Sequence, residues 1–145
     1  MKVLPMLLLC VASLGAQNTP SFTVAQFKSL AWLGGQWRGS GGSYPNFFED
    51  YRVVDDSTIR MRTLKDSTFA VASDSSLITL RNGRIQNGGS VVTRIRGDTV
   101  RFEPAPGQRG NGYTWIRQSA NAWTAVLDAP GGANVVYQMR RVPRK

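Results

Sequence analysis

The chain has 145 residues, the length of one domain. It carries 18 lysines and arginines against 9 acids, a net charge of +9, with one cysteine and no histidine. Those counts exclude a histidine general base, a histidine ligand to zinc or haem, a histidine pH switch and any internal disulfide.

Lys2 precedes the apolar run VLPMLLLCVA, and small residues follow to Ala16. A basic start, an apolar core and a small-residue exit describe a secretory signal peptide over residues 1–16, cleaved after Ala16 or Ala12. The run falls short of the roughly 20 apolar residues a membrane span needs. Leu9, bulky and directly before Cys10, speaks against a lipoprotein site. The expectation is an exported protein, periplasmic or secreted, with its domain over 17–145. Loss of Cys10 with the leader removes the only thiol, so stability must come from packing.

Residues 17–26 begin as a polar lead-in, and TVAQFKSLAWL then places Val24, Phe27, Leu30, Ala31 and Leu33 at near-helical spacing. Thr23 is the expected cap, and Gly34-Gly35 the stop. Strand patterns fill the rest. TIRMRTL alternates Ile59 and Met61 with Arg60 and Arg62, the period-two mark of a strand with one wet face. FFEDYRVV, TFAVAS, SLITLRNG, RIQNGG, SVVTRIRGD, TVRFEP, YTWIRQS, AWTAVLDA and NVVYQMRRV share that character. Asn-Gly, Gly-Gly and Gly-Asp pairs separate several of them, as hairpins require. The fold class expected is all-β: a single antiparallel up-and-down β-barrel of 8–10 strands with one short N-terminal helix.

The basic residues are scattered through the strands and no nucleic-acid motif accompanies them, so nucleic acid is not the expected partner. A solvated basic surface, able to meet an anionic envelope at its periphery, fits better. The sequence leaves the oligomeric state open.

The helix FKSLAWL, followed by Gly35-Gln36-Trp37 at the start of a strand meander, resembles the opening of calycin barrels, which include the lipocalins. The succession FFEDY, DSTI, DSTF, RNGRI, GDTVRFEP, YTWIR and YQMRRV is similar to a family of small exported bacterial lipocalin-like domains of unknown function. Members carry a His-Asp-Phe-Pro element after the strand matching RFEP; here APGQRGNG stands in its place. Nitrobindin-like barrels begin similarly but hold haem through histidine, a route closed to this chain. No cofactor and no metal is expected. The resemblance also implies barrel closure by an arginine of the last strand packed on Trp37, with Arg141 the candidate and Arg140 the alternative if parity slips by one.

Strand parity sorts the remaining candidates. Glu49 and Tyr51 share a face with Phe47, Tyr113 and Trp115 with Arg117, and Tyr137 and Met139 with Arg141. With aromatic members inward, the interior holds an aromatic pocket, one acid and two arginines, and buried charges must pair. A Glu49–Arg117–Arg141 network is therefore expected. The ligand-binding candidates are Glu49, Tyr51, Met61, Tyr113, Trp115, Arg117 and Tyr137, with Glu49 and Arg117 open between scaffold and ligand contact.

Catalytic readings are weak. Asp55-Asp56 sits in a turn, where Asp serves backbone hydrogen bonding. Glu103 has no evident partner. GSGGS lacks the lysine and following helix of a phosphate loop. The expectation is no enzyme, but a barrel binding a small, partly apolar ligand, neutral or anionic. The alternative is an envelope module whose barrel is filled by side chains and whose basic surface meets lipid or a protein partner.

Overall fold

The computed structural model describes residues 20–143, so the expected leader over 1–16 lies outside the described residues. The short helix α1 (Val24–Lys28) opens the fold and tightens into a 3₁₀ turn over Ser29–Leu33. Thr23 and Gln26 form a reciprocal capping box: the Gln26 N–H donates to Thr23 Oγ1 at 3.2 Å, and the Thr23 N–H to Gln26 Oε1 at 2.8 Å. Phe27, Leu30 and Leu33 are buried, every third residue, as a 3₁₀ turn dictates. Val24 and Ala31, which α-helical spacing places with them, are exposed because the helix tightens after one turn.

Ten strands follow among the described residues: β1 (Gly35–Gly41), β2 (Tyr44–Asp55), β3 (Thr58–Leu64), β4 (Ala72–Arg81), β5 (Arg84–Asn87), β6 (Ser90–Arg96), β7 (Thr99–Pro104), β8 (Tyr113–Ser119), β9 (Ala122–Leu127) and β10 (Val135–Val142). Each pairs antiparallel with its neighbours in sequence, and β1 pairs with β10 to close the barrel. The turn Asn82-Gly83 joins β4 to β5 with both residues at positive φ, 50° and 73°, the mirror-image turn that matches strand twist.

TFAVAS does not form a strand of its own. Residues 65–71 make a loop in which Phe69 takes a left-handed φ of 58°, and β4 begins only at Ala72. Phe69 instead caps the outer wall, its ring 5.7 Å from Phe48, beside buried Leu64. This small outer cluster explains a segment that is apolar without being strand.

The two barrel ends differ. The helix and the tight turns of β2–β3, β4–β5, β6–β7 and β8–β9 gather at one end. The opposite rim carries the loops 65–71, 105–112 and 128–134. Apolar residues of the helix and of alternating strand positions fill the helix end. There Phe27, Leu30 and Leu33 pack with Trp37, Ile59, Ile78, Ile85 and Trp123.

Candidate functional site

Side chains do not fill the barrel. A cavity of about 240 Å³ lies toward the rim opposite the helix. Glu49, Tyr51, Met61, Tyr113, Trp115 and Tyr137 all line it. Phe47, Asn87, Trp123, Ala125, Leu127 and Met139 complete the lining. Its origin is legible in the register: Ala125 stands between Trp115 of β8 and Tyr137 of β10 as cross-strand partner of both. A methyl group between two large aromatic side chains leaves space that neither fills.

The walls are aromatic. Tyr51 meets Trp115 and Trp123 edge to face, each at 6.2 Å between ring centroids. Trp115 and Trp123 are 5.3 Å apart, and Tyr113 stacks on Phe102 at 4.5 Å. At the rim Phe47 and Tyr137 form a T-shaped pair at 5.3 Å. These two rings border both the cavity and a shallow groove outside it formed with Tyr44, Pro45 and Asn46. Phe47 lies flat over Gly39, where a Cβ would fall 2.1 Å from its Cζ, so the ring occupies the room a side chain would need.

The polar groups are few. Tyr51 Oη donates to Glu49 Oε2 at 2.8 Å, and Asn87 Nδ2 donates to Tyr113 Oη at 2.9 Å. Burial pushes the Tyr51 phenol well up, assisted by the negative charge of Glu49. Burial likewise lifts Tyr113 to about 12. Both phenols therefore stay protonated at neutral pH. Loss of water around Glu49 raises its pKa above the ordinary carboxylate value, against the opposing pull of the Tyr51 hydrogen bond. Glu49 Oε1 has no hydrogen-bond partner on the protein among the described residues, nor does the buried Nε1 of Trp123. A buried donor left unpaired costs about 1–3 kcal/mol, a cost that the sealed Trp123 N–H carries, whereas Glu49 Oε1 is an acceptor that is not sealed and stays open to solvent.

A pH dependence follows from Glu49. The folded chain holds its proton more tightly than the unfolded chain, so folding takes up a proton. This group's contribution to stability falls as pH rises from the ordinary carboxylate value through the raised folded one. Glu49→Gln, neutral throughout, should melt above the parent at pH 8, and the difference should vanish near about pH 3. Thermal melts at the two pH values check this; a lower melting temperature for the variant at pH 8 would show the charge to be compensated.

The Glu49–Arg117–Arg141 network is not formed. Arg117 does not line the cavity. It lies opposite Trp123 at the helix end, beside the bulge between Arg117 and Ser119. Its side chain, 39% exposed, reaches toward Asp98 of the β6–β7 turn at 4.0 Å. Solvent is close enough there for the charge to escape desolvation, which burial beside Trp123 would impose.

Arg141 also stays at that end. Its Cζ lies 4.2 Å from the centroid of the Trp37 ring. Its guanidinium donates to three carbonyls: Nε to Ala120 O at 2.8 Å, Nη1 to Gly34 O at 2.7 Å and Nη2 to Trp32 O at 3.2 Å. A Cβ on Gly35 would sit 2.1 Å from Nη1, so the glycine of Gly-x-Trp makes room for the arginine. Trp37 Nε1 donates to Leu33 O at 2.7 Å, joining the helix to the first strand. Trp37 therefore plugs the barrel beneath Trp123, 6.0 Å away, and away from the cavity.

Other acids have structural partners. Asp55 accepts from the Ser57 N–H at 2.8 Å, and the hydrogen bonds from Ser57 hold its carboxyl below the usual range. Asp56 pairs with Lys28 at 3.0 Å on the surface. Glu103 is partnered after all. Arg101 Nε donates to it at 2.7 Å while the same guanidinium grips Asp128, an outer-wall cluster folded around Gly112.

Trp123 is the residue sequence reasoning passed over. It touches Trp32, Trp37, Tyr51 and Trp115, forming the cavity floor. The signal was present in AWTAVL, where period two sets Trp123, Ala125 and Leu127 on one face.

No family model matches the chain, and no curated protein matches it. Among solved structures, a redesigned beta barrel aligns with 78% of this chain and 94% of its own, at 10% identity and a TM-score of 0.43.

Proposed function

We propose that this chain is a non-catalytic, exported lipocalin-like barrel that binds a small, partly apolar molecule in its interior. The observation that carries the reading is the aromatic cavity of about 240 Å³, roughly the bulk volume of eight waters, with one carboxylate at its wall. Concave, mostly apolar sites with a few placed polar groups are the usual form of small-molecule pockets. A barrel packed solid, as the envelope-module alternative requires, has no such void. The basic outer surface remains suited to peripheral contact with an anionic envelope.

Catalysis has little to work with here. The lining offers a carboxylate and phenols whose pKa values are raised, but no serine, cysteine or lysine nucleophile. The anionic form of the ligand expectation rested on Arg117 and Arg141 pointing inward, and neither lines the cavity.

Trp115 and Trp123 provide an internal reporter. Titration with phenethyl alcohol, a neutral ligand of one ring and a short chain, should shift tryptophan emission saturably. If neutral, cationic and anionic aromatics of that size all leave the emission unchanged, the binding reading fails.

A further inference from the structure

We propose that the molecule bound is an organic cation, a protonated amine or quaternary ammonium attached to an apolar group. This rests on the interior-binding reading and names its ligand class. The cavity lining includes no lysine or arginine, in a chain with 18 of them. Its one ionisable acid is Glu49, which forms no ion pair among the described residues and keeps Oε1 free of protein partners. A desolvated carboxylate without a counter-ion is costly, and a ligand that brings the counter-ion removes that cost.

The rings supply the second half of the recognition. Tyr51, Trp115 and Trp123 meet one another at 5.3–6.2 Å, with Tyr113 and the Phe47–Tyr137 pair completing the wall. The negative faces of such rings attract a cation, and desolvation strengthens the attraction. Cage and carboxylate therefore select the same charge. An anionic guest would meet Glu49 with no cation to offset it.

The net charge of +9 opposes approach of a cation, but only weakly. The basic side chains of β1–β3, such as Arg38, Arg60 and Arg62, alternate with the inward residues and lie on the outer wall. Exposed charges act over about 8 Å at physiological ionic strength. Contacts inside the cavity are screened far less and decide the selectivity.

The test is calorimetric titration of the 17–145 chain at pH 7.5 and about 0.15 M salt with three ligands of similar size: phenethylamine, phenethyl alcohol and 3-phenylpropionate. Phenethylamine should bind about 10-fold or more tighter than the alcohol, with the propionate weakest. Glu49→Gln, which retains an acceptor for Tyr51, should cut the amine's advantage over the alcohol by about 10-fold, with thermal melts reporting that the variant is folded. If the alcohol or the propionate binds as tightly as the amine, the cation assignment fails while interior binding stands. An unchanged amine advantage in Glu49→Gln also overturns the assignment. Absence of binding by all three overturns the interior-binding reading itself.

Discussion

Replacing Trp37 with alanine should destabilise the fold by about 3–5 kcal/mol, the usual cost of deleting a fully buried large aromatic. Small domains are stable by only about 5–15 kcal/mol, and the melting temperature should fall on the order of 10–20 °C. Three losses combine at this position. The indole is 1% exposed and packs under Trp123. Its Nε1 bond to Leu33 O is one of the ties between helix and barrel. Its face is the platform for the Arg141 guanidinium. Trp37→Phe retains the ring but not the hydrogen bond and should lie between parent and alanine. Trp32→Ala is the control: Trp32 is only half-buried and touches Trp123 from outside, so its loss should cost clearly less. Equal effects at positions 32 and 37 would mean that Trp37 is not the plug.

Ala125→Phe should abolish guest binding while leaving the fold in place. The new ring enters the space between Trp115 and Tyr137 and occupies much of the cavity. Affinity for phenethyl alcohol and phenethylamine should fall about 100-fold, equivalent to about 2.7 kcal/mol. Overpacking a tight core costs about 1–3 kcal/mol, but this ring lands in a void, so stability should change by less. Calorimetry and thermal melts on the same preparation separate the two effects. Undiminished affinity in a folded variant would place the guest elsewhere, most simply in the outer groove at Tyr44–Asn46.

The barrel was legible because strands such as TIRMRTL alternate and several turns carry Asn-Gly, Gly-Gly or Gly-Asp. Parity along YTWIRQ and YQMRR separates inward from outward residues, but it carries no information about depth. Tyr113 and Trp115 lie at cavity level; Arg117, two residues on with the same parity, lies at the helix end and leans into solvent. Arg141 differs from Tyr137 in the same way. Composition alone misleads at TFAVAS, where β-forming residues serve an outer cluster with Phe48. Glu103 is paired with Arg101 two residues away on its own strand, and Arg101 takes a second acid, Asp128, which only the register of β7, β8 and β9 brings to it. The charge character of the cavity depends on these end effects, so it could not be read from face assignment.

The strand order has a kinetic consequence. Every pairing except one joins neighbours in sequence, so most of the sheet assembles from hairpins with short loops. The exception is the β1–β10 seam, where Trp37 and Arg141 are cross-strand partners and Arg141 reaches Gly34 and Trp32 across 107 and 109 residues of chain. Closing a loop of that length costs about 4 kcal/mol in chain entropy before any contact offsets it. The seam should therefore be a late step of folding. The cavity comes into being only when the seam closes, so any molecule that binds there should slow the seam's reopening.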